Sequence, residues 1–163
     1  MKQAEQEEQF LGLVDAHRHI IYKVCFMYAS GDENISDMFQ ETVLNMWKAF
    51  PKFRGKSRYS TWVYRIAVNT CVSWLRTSKK QPQTVPFTLS MSDLITDEQE
   101  KENLKELYML INRLNKLERA LILLWLDEKS YDEIAEILEI KASNVGVRIN
   151  RIKAKLKEMS SRN

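Results

Sequence analysis

Between Lys48 and Lys80 the chain reads KAFPKFRGKSRYSTWVYRIAVNTCVSWLRTSKK, with nine Lys or Arg and no Asp or Glu. Six rings are threaded through those cations: Phe50, Phe53, Tyr59, Trp62, Tyr64 and Trp74. Cations neutralise phosphates, and a ring stacked on an unpaired base contributes roughly 1–3 kcal/mol. The two together point to single-stranded nucleic acid, whose bases expose their faces. A helix with buried rings and solvated charges would give the same letters, so the run needs support from the rest of the chain.

A second basic stretch lies near the end. Ser130-x-x-Glu133 is a capping box opening YDEIAEIL, Glu139-Ile140-Lys141 is a tight turn, and ASNVGVRINRIKAKLKE follows. Two helices joined by a tight turn, the second rich in Arg, Lys and Asn, make the pattern of a helix-turn-helix reader of duplex DNA. On the second helix Val145, Ile149, Ile152 and Leu156 form a stripe to bury. Ser143, Val147, Asn150 and Arg151 fall opposite, flanked by Gly146, Lys153 and Lys157. A plain helical hairpin with a solvated basic tail is the other reading of this stretch.

Charge is unevenly spread along a chain of net +3: residues 1–47 carry eight acids against three bases, and residues 81–139 carry thirteen against six. Two basic blocks separated by acidic ones suggest two contacts with a polyanion and two surfaces for other partners.

These residues need elements to hold them. At 163 residues the chain can form one ordinary domain or two small ones, and four Gly and three Pro favour an all-α protein. No apolar run of about 18 residues spans a membrane, and the polar, acidic MKQAEQEEQF argues against a secretory signal. Cys25 and Cys71 lack metal-type spacing and read as core thiols of a reducing, cytoplasmic compartment. His17 and His19, two apart on a helix, cannot share a metal ion. There is no Gly-rich phosphate loop, Cys/His cluster or Ser/His/Asp set, so no enzyme, cofactor or catalytic residue is expected.

Residues 4–29 carry one apolar stripe: Phe10, Leu13, Val14, His17, Ile20, Ile21, Val24 and Tyr28. Ser30-Gly31-Asp32 ends that helix, and Asn34-x-x-Asp37, a capping box with Asp for Glu, starts the next, which Pro51 stops. Phe39, Val43, Met46, Trp47 and Phe50 form its apolar side. Asp37, Gln40, Glu41 and Leu44 lie opposite, where the acids either pair with the basic run or make a docking face. Gly55 turns a loop from Phe53 to Ser60, and Ser57 or Ser60 caps a third helix to about Lys80. On it Val63, Ile66, Ala67, Thr70, Cys71 and Trp74 face inward, while Trp62, Arg65, Asn69, Ser73 and Arg76 make a polar track. Residues 77–95 lose helical periodicity and read as a linker. Thr96-x-x-Gln99 caps a helix through Leu104, Leu107, Ile111 and Leu114, and another runs through Leu117, Leu121, Leu124 and Trp125.

In combination these segments resemble a sigma factor of the sigma-70 family, of the extracytoplasmic-function type. The resemblance rests on D-M-F-Q-E-x5-W from Asp37 and F-R-G-K-S-x3-T-W-V-Y-R-I-A-V-N-T from Phe53, followed by Trp74-Leu75-Arg76. In the second half it rests on L-E-R-A-L-I-L-L from Leu117, S-Y-D-E-I-A-E-I-L from Ser130 and V-G-V-R-I-N-R-I-K from Val145. Any one string is weak; their order and spacing across nearly the whole chain are specific.

The resemblance implies two small helical domains: a region 2 bundle at 1–80 and a region 4 helix-turn-helix at 96–163, joined by a flexible linker at 81–95. The first would bind the beta-prime clamp of core RNA polymerase and open the promoter. The second would read the upstream, minus-35 element and touch the beta flap. Asp37, Gln40, Glu41 and Trp47 match the clamp-binding helix. Phe53, Arg54, Lys56, Ser57, Arg58, Tyr59, Ser60, Trp62, Tyr64, Arg65 and Asn69 match the surface that takes the melted minus-10 element. Ser143, Asn144, Gly146, Val147, Arg148, Asn150, Arg151 and Lys153 match the minus-35 reader. Partners implied are core polymerase, promoter DNA as duplex and as melted strand, and an anti-sigma factor. Departures from the family pattern are Asn34 and Ser36 where acids are common, Glu139 for a turn glycine, and Gly146 for a basic residue. A glycine at 146 has two readings, close approach to DNA backbone or bases and neutral drift compensated elsewhere. The rival reading is a stand-alone helix-turn-helix regulator of duplex DNA, which leaves the basic, ring-bearing run without a purpose.

Overall fold

The computed structural model describes residues 2–29, 32–77 and 106–161, which are helical with short connections. They form two compact units, one of 2–29 with 33–77 and one within 106–161. The expected linker at 81–95 and the Thr96-x-x-Gln99 box lie outside the described residues, as does the Ser30-Gly31 stop.

The first unit holds α1 (Lys2–Tyr28), α2 (Asp32–Ala49), a 3-10 turn (Phe50–Lys52) and α3 (Tyr59–Thr77). Its centre is the packing of α1 on α3, where Ile21, Val24 and Cys25 of one helix and Val63, Ala67 and Cys71 of the other are fully buried. Cys71 donates to the Cys25 sulfur across 3.9 Å, both thiols free and sealed from solvent. That hydrogen bond, and then burial, push the Cys71 thiol well above its ordinary range. His17 is also satisfied within its own helix, Nδ1 donating to the Leu13 carbonyl at 2.8 Å.

Two expectations for α2 are corrected. The helix starts at Asp32, so Asn34 and Asp37 lie inside it rather than forming its N-terminal box. Its buried set is Ile35, Met38, Thr42 and Met46, not the side containing Phe39, Val43 and Trp47. A buried threonine hid this face in the sequence; Thr42 Oγ1 satisfies itself by donating to the Met38 carbonyl at 2.7 Å. Asn45 then reaches across to Thr70 of α3, Nδ2 to Oγ1 at 2.9 Å. Pro51 ends α2 as expected, by entering the 3-10 turn. Neither Ser57 nor Ser60 holds the capping position of α3, which falls on Arg58, whose carbonyl accepts from Trp62 N–H at 3.1 Å.

The second unit opens on a helical stretch at 106–111 and continues with α4 (Lys116–Leu126), α5 (Tyr131–Leu138) and α6 (Ala142–Ser161). Both α4 and α5 begin with complete capping boxes, Asn115 with Glu118 and Ser130 with Glu133. Arg119 is buried; its guanidinium donates to the carbonyls of Leu114 at 2.9 Å and Asn112 at 2.7 Å, tying off the preceding turn. Burial raises the neighbouring Tyr108 phenol, with the Arg119 charge pulling the other way. Glu139 closes α5 in the left-handed region at φ 57°, doing as a strained residue what glycine does freely. No helix among the described residues is long and apolar enough to cross a membrane.

Candidate nucleic-acid interface

The rings of the first unit form a column. Tyr59 stacks on Phe53 with centroids 4.8 Å apart and planes 27° off parallel. Phe53 meets Trp62 at 5.3 Å, and Trp62 meets Phe50 at 6.3 Å. Phe50 then contacts Phe10 of α1 at 5.5 Å, and Phe10 meets Trp47 of α2 edge-on at 5.0 Å. Tyr59, the outer ring, is 46% exposed, whereas Trp62 keeps only 8% of its surface. Such ring pairs add about 0.5–1.5 kcal/mol each beyond their buried area. The column therefore fixes the loop between the 3-10 turn and α3.

That rigidity sorts the residues expected at the minus-10 surface. Gly55 turns the loop at φ +73° with open space about it, as its position in the sequence requires. Lys56, Arg58 and Tyr59 are exposed, Phe53, Ser57 and Ser60 are half-buried, and Asn69 is exposed on α3 with Arg65 half-buried beside it. Tyr64 is fully buried and Trp62 nearly so. Neither offers a ring face to a base, so both support the surface from beneath. Arg54 is exposed but donates to the Pro51 carbonyl at 2.9 Å, so part of its donor set holds the loop. Lys48, Lys52, Lys56, Arg58 and Arg76 have no bonded partner among the described residues.

On α2, Asp37 and Gln40 are exposed and Glu41 half-buried. Neither acid forms an ion pair among the described residues. The internal salt bridges that were one reading of these acids are not made among the described residues. Beside them lies a groove of about 610 Å³ between α1 and α2, lined mainly by Phe10, Leu11, Phe39, Val43, Leu44 and Trp47. The sequence reading missed this groove because it assigned Phe39 and Val43 to the core. The signal was present: α2 carries more apolar residues than one face can bury, and Leu11 of α1 is 65% exposed.

In the second unit α5 and α6 meet as a helix-turn-helix, with Val145, Ile149 and Ile152 buried and Leu156 half-buried. Ser143, Asn144, Val147, Arg148, Asn150 and Arg151 are exposed, so the expected reading face is clear of the core. Lys153 is exposed as well, with Nζ over the Trp125 ring of α4, 4.3 Å from its centroid. Lys155 bonds Glu118 at 3.2 Å. Both side chains dock α6 on α4 through contacts that helix periodicity does not reveal. Gly146 also has a different neighbour from the one expected. A Cβ there would come within 3.0 Å of Cε2 of Tyr131, the first residue of α5. The glycine seats an aromatic ring of its own unit.

Both units have known counterparts. Residues 13–81 match the family model for sigma-70 region 2, and residues 104–156 match that for sigma-70 region 4. The chain is 30% identical over 164 aligned positions to the ECF RNA polymerase sigma-E factor of Salmonella typhimurium, covering 91% of this chain and 85% of that protein. It is 33% identical over 78 residues to the ECF RNA polymerase sigma factor SigG of Mycobacterium tuberculosis, a match spanning 48% of this chain but only 21% of SigG. In fold it is similar to the sigma factor RpoE of Bartonella quintana, solved with the anti-sigma factor NepR. That likeness has a TM-score of 0.69 at 18% identity, over 99% of this chain and 98% of that one.

Proposed function

The chain belongs to the extracytoplasmic-function branch of the sigma-70 family, and from that membership we propose that it directs RNA polymerase to a specific set of promoters. It joins core polymerase in the cytoplasm, recognises promoter duplex and holds the strand that opens. Membership implies a non-enzymatic initiation factor. The observation that carries the proposal is the match of both compact units, in order, to regions 2 and 4.

Roles divide along the chain. Residues 1–80 dock on the polymerase clamp and take the melted minus-10 strand, 81–95 connect, and 96–163 read the minus-35 element. Clamp docking uses Asp37, Gln40, Glu41 and Trp47, where unpaired acids border an apolar groove. A basic, partly apolar helix fits such a face. The strand is held by the loop from Phe53 to Ser60 and by Asn69, with cations free for its phosphates. On α6, Asn150 can pair bidentately with adenine and Val147 can cover a thymine methyl. Arg148 and Arg151 are exposed beside them for phosphates and bases. An anti-sigma factor, as NepR is for the Bartonella protein, would compete with polymerase for the α1–α2 groove.

An order-of-addition gel shift followed by run-off transcription tests this. The chain with core enzyme should bind and transcribe a subset of a promoter library, and the chain alone should bind poorly. A chain that shifts promoter duplex equally well without core enzyme is a stand-alone regulator.

A further inference from the structure

Gly146 lies on α6 at steps of three and four from Ser143 and Asn150, on the flank that leads from the buried stripe to the exposed face. Nothing projects from the helix at that point. What covers it is the ring of Tyr131, with Cε2, Cδ2 and Cζ at 3.0, 3.5 and 3.8 Å from where a Cβ would stand. Tyr131 is nonetheless 42% exposed, and it is the residue that follows the Ser130 cap. An aromatic ring borrowed from α5 thus fills the place of a side chain on the recognition helix, while much of the tyrosine's surface remains in solvent.

We propose that Tyr131 and Gly146 act as one specificity-determining pair in reading the upstream duplex. The ring from α5 supplies the contact on this flank, and the glycine sets where the ring stands. The inference rests on the assignment of α6 as the upstream reader and adds to it a residue on the preceding helix. Three features favour a role in recognition over packing alone. A tyrosine kept only for packing gains little when over two-fifths of its surface stays in water. A glycine inside a helix costs about 1 kcal/mol relative to alanine, a cost the seat explains. The ring also lies on the flank shared by Ser143 and Asn150, both exposed, so it borders the groups that can reach base edges.

Holoenzyme made from core polymerase and the full chain, offered a library randomised through the upstream element, provides the test. Variants are Tyr131→Ala, Gly146→Leu, their double and Asn150→Ala. Tyr131→Ala and Gly146→Leu, the second displacing the ring without adding charge, are expected to relax the same base position by about tenfold. The double variant should be no worse than either single, because both remove one contact. Asn150→Ala should relax a neighbouring position instead. The pair is refuted if its variants leave the selected sequence unchanged, lower transcription from all sequences alike, or relax two different positions additively. In each of those cases Asn150→Ala still relaxes a position. If wild type selects no upstream element and Asn150→Ala changes nothing, the assignment of α6 itself has failed.

Discussion

On the roles proposed above, the two units share one task, presenting cations to a polyanion, and differ in how they are built for it. The first is held by rings, from Tyr59 through Phe53, Trp62, Phe50 and Phe10 to Trp47, and leaves the side chains of Lys48, Lys52, Lys56, Arg58 and Arg76 without bonded partners among the described residues. The second is held by two capping boxes and by cations spent internally: Arg119 on two carbonyls, Lys153 on Trp125 and Lys155 on Glu118. A unit with a long aromatic column can keep its charges for a ligand. A unit that joins two short helices to a long one uses some of them to orient that long helix, α6. Counting Lys and Arg in a sequence therefore overestimates the footprint of the second unit more than that of the first.

The sharpest way to break this contrast is to remove the centre of the column. Trp62→Ala should cost roughly 3–5 kcal/mol, and hydrogen exchange should show lost protection in α1 and α3 with α4 to α6 unchanged. Equal loss in both units would mean that their stabilities are not separate. Next in size is the acidic face of α2, where no internal bond is at stake. Replacing Asp37 and Glu41 by lysine should weaken core polymerase binding at least about tenfold, with an unaltered circular dichroism spectrum. Unchanged co-purification with core enzyme would remove this face from the docking surface.

In the second unit the caps should matter in proportion to its dependence on them. Ser130→Ala is expected to cost about 1 kcal/mol in thermal unfolding. The smallest effect separates spent from free cations. Arg151→Ala should lower the slope of log affinity against log salt by about 1, while Lys153→Ala should leave that slope unchanged. A slope lowered equally by both would mean that Lys153 leaves its ring to meet a phosphate.

Much of this was legible from periodicity and turn chemistry. The α1 stripe, the Gly55 turn, the Ser130 box and the buried line on α6 all depend on neighbours within a few residues. What escaped depends on residues far apart in sequence. The register of α2 was misread because Thr42 hides its hydroxyl on its own helix, and a polar residue does not advertise a core position. The Asn115 box straddles the start of the L-E-R-A-L string, with only Glu118 inside it, so the string's leucines mask the cap. The Trp125 ring against Lys153 and the Tyr131 ring against Gly146 come from other helices, so helix periodicity does not reveal them. The candidate strand-binding loop was legible as a region, but the sequence could not show that Trp62 and Tyr64 face inward, because burial of a ring depends on the whole column.

The sealed thiol pair has a practical consequence. Maleimides attack thiolates, and Cys25 and Cys71 are buried, with Cys71 held protonated. A cysteine introduced at an exposed site in each unit, such as Asn69→Cys and Asn144→Cys, would then label under native conditions with both natural cysteines still in place. Donor and acceptor dyes at those two sites would report the distance between the proposed strand-holding and duplex-reading surfaces in free chain, in holoenzyme and at each stage of promoter opening.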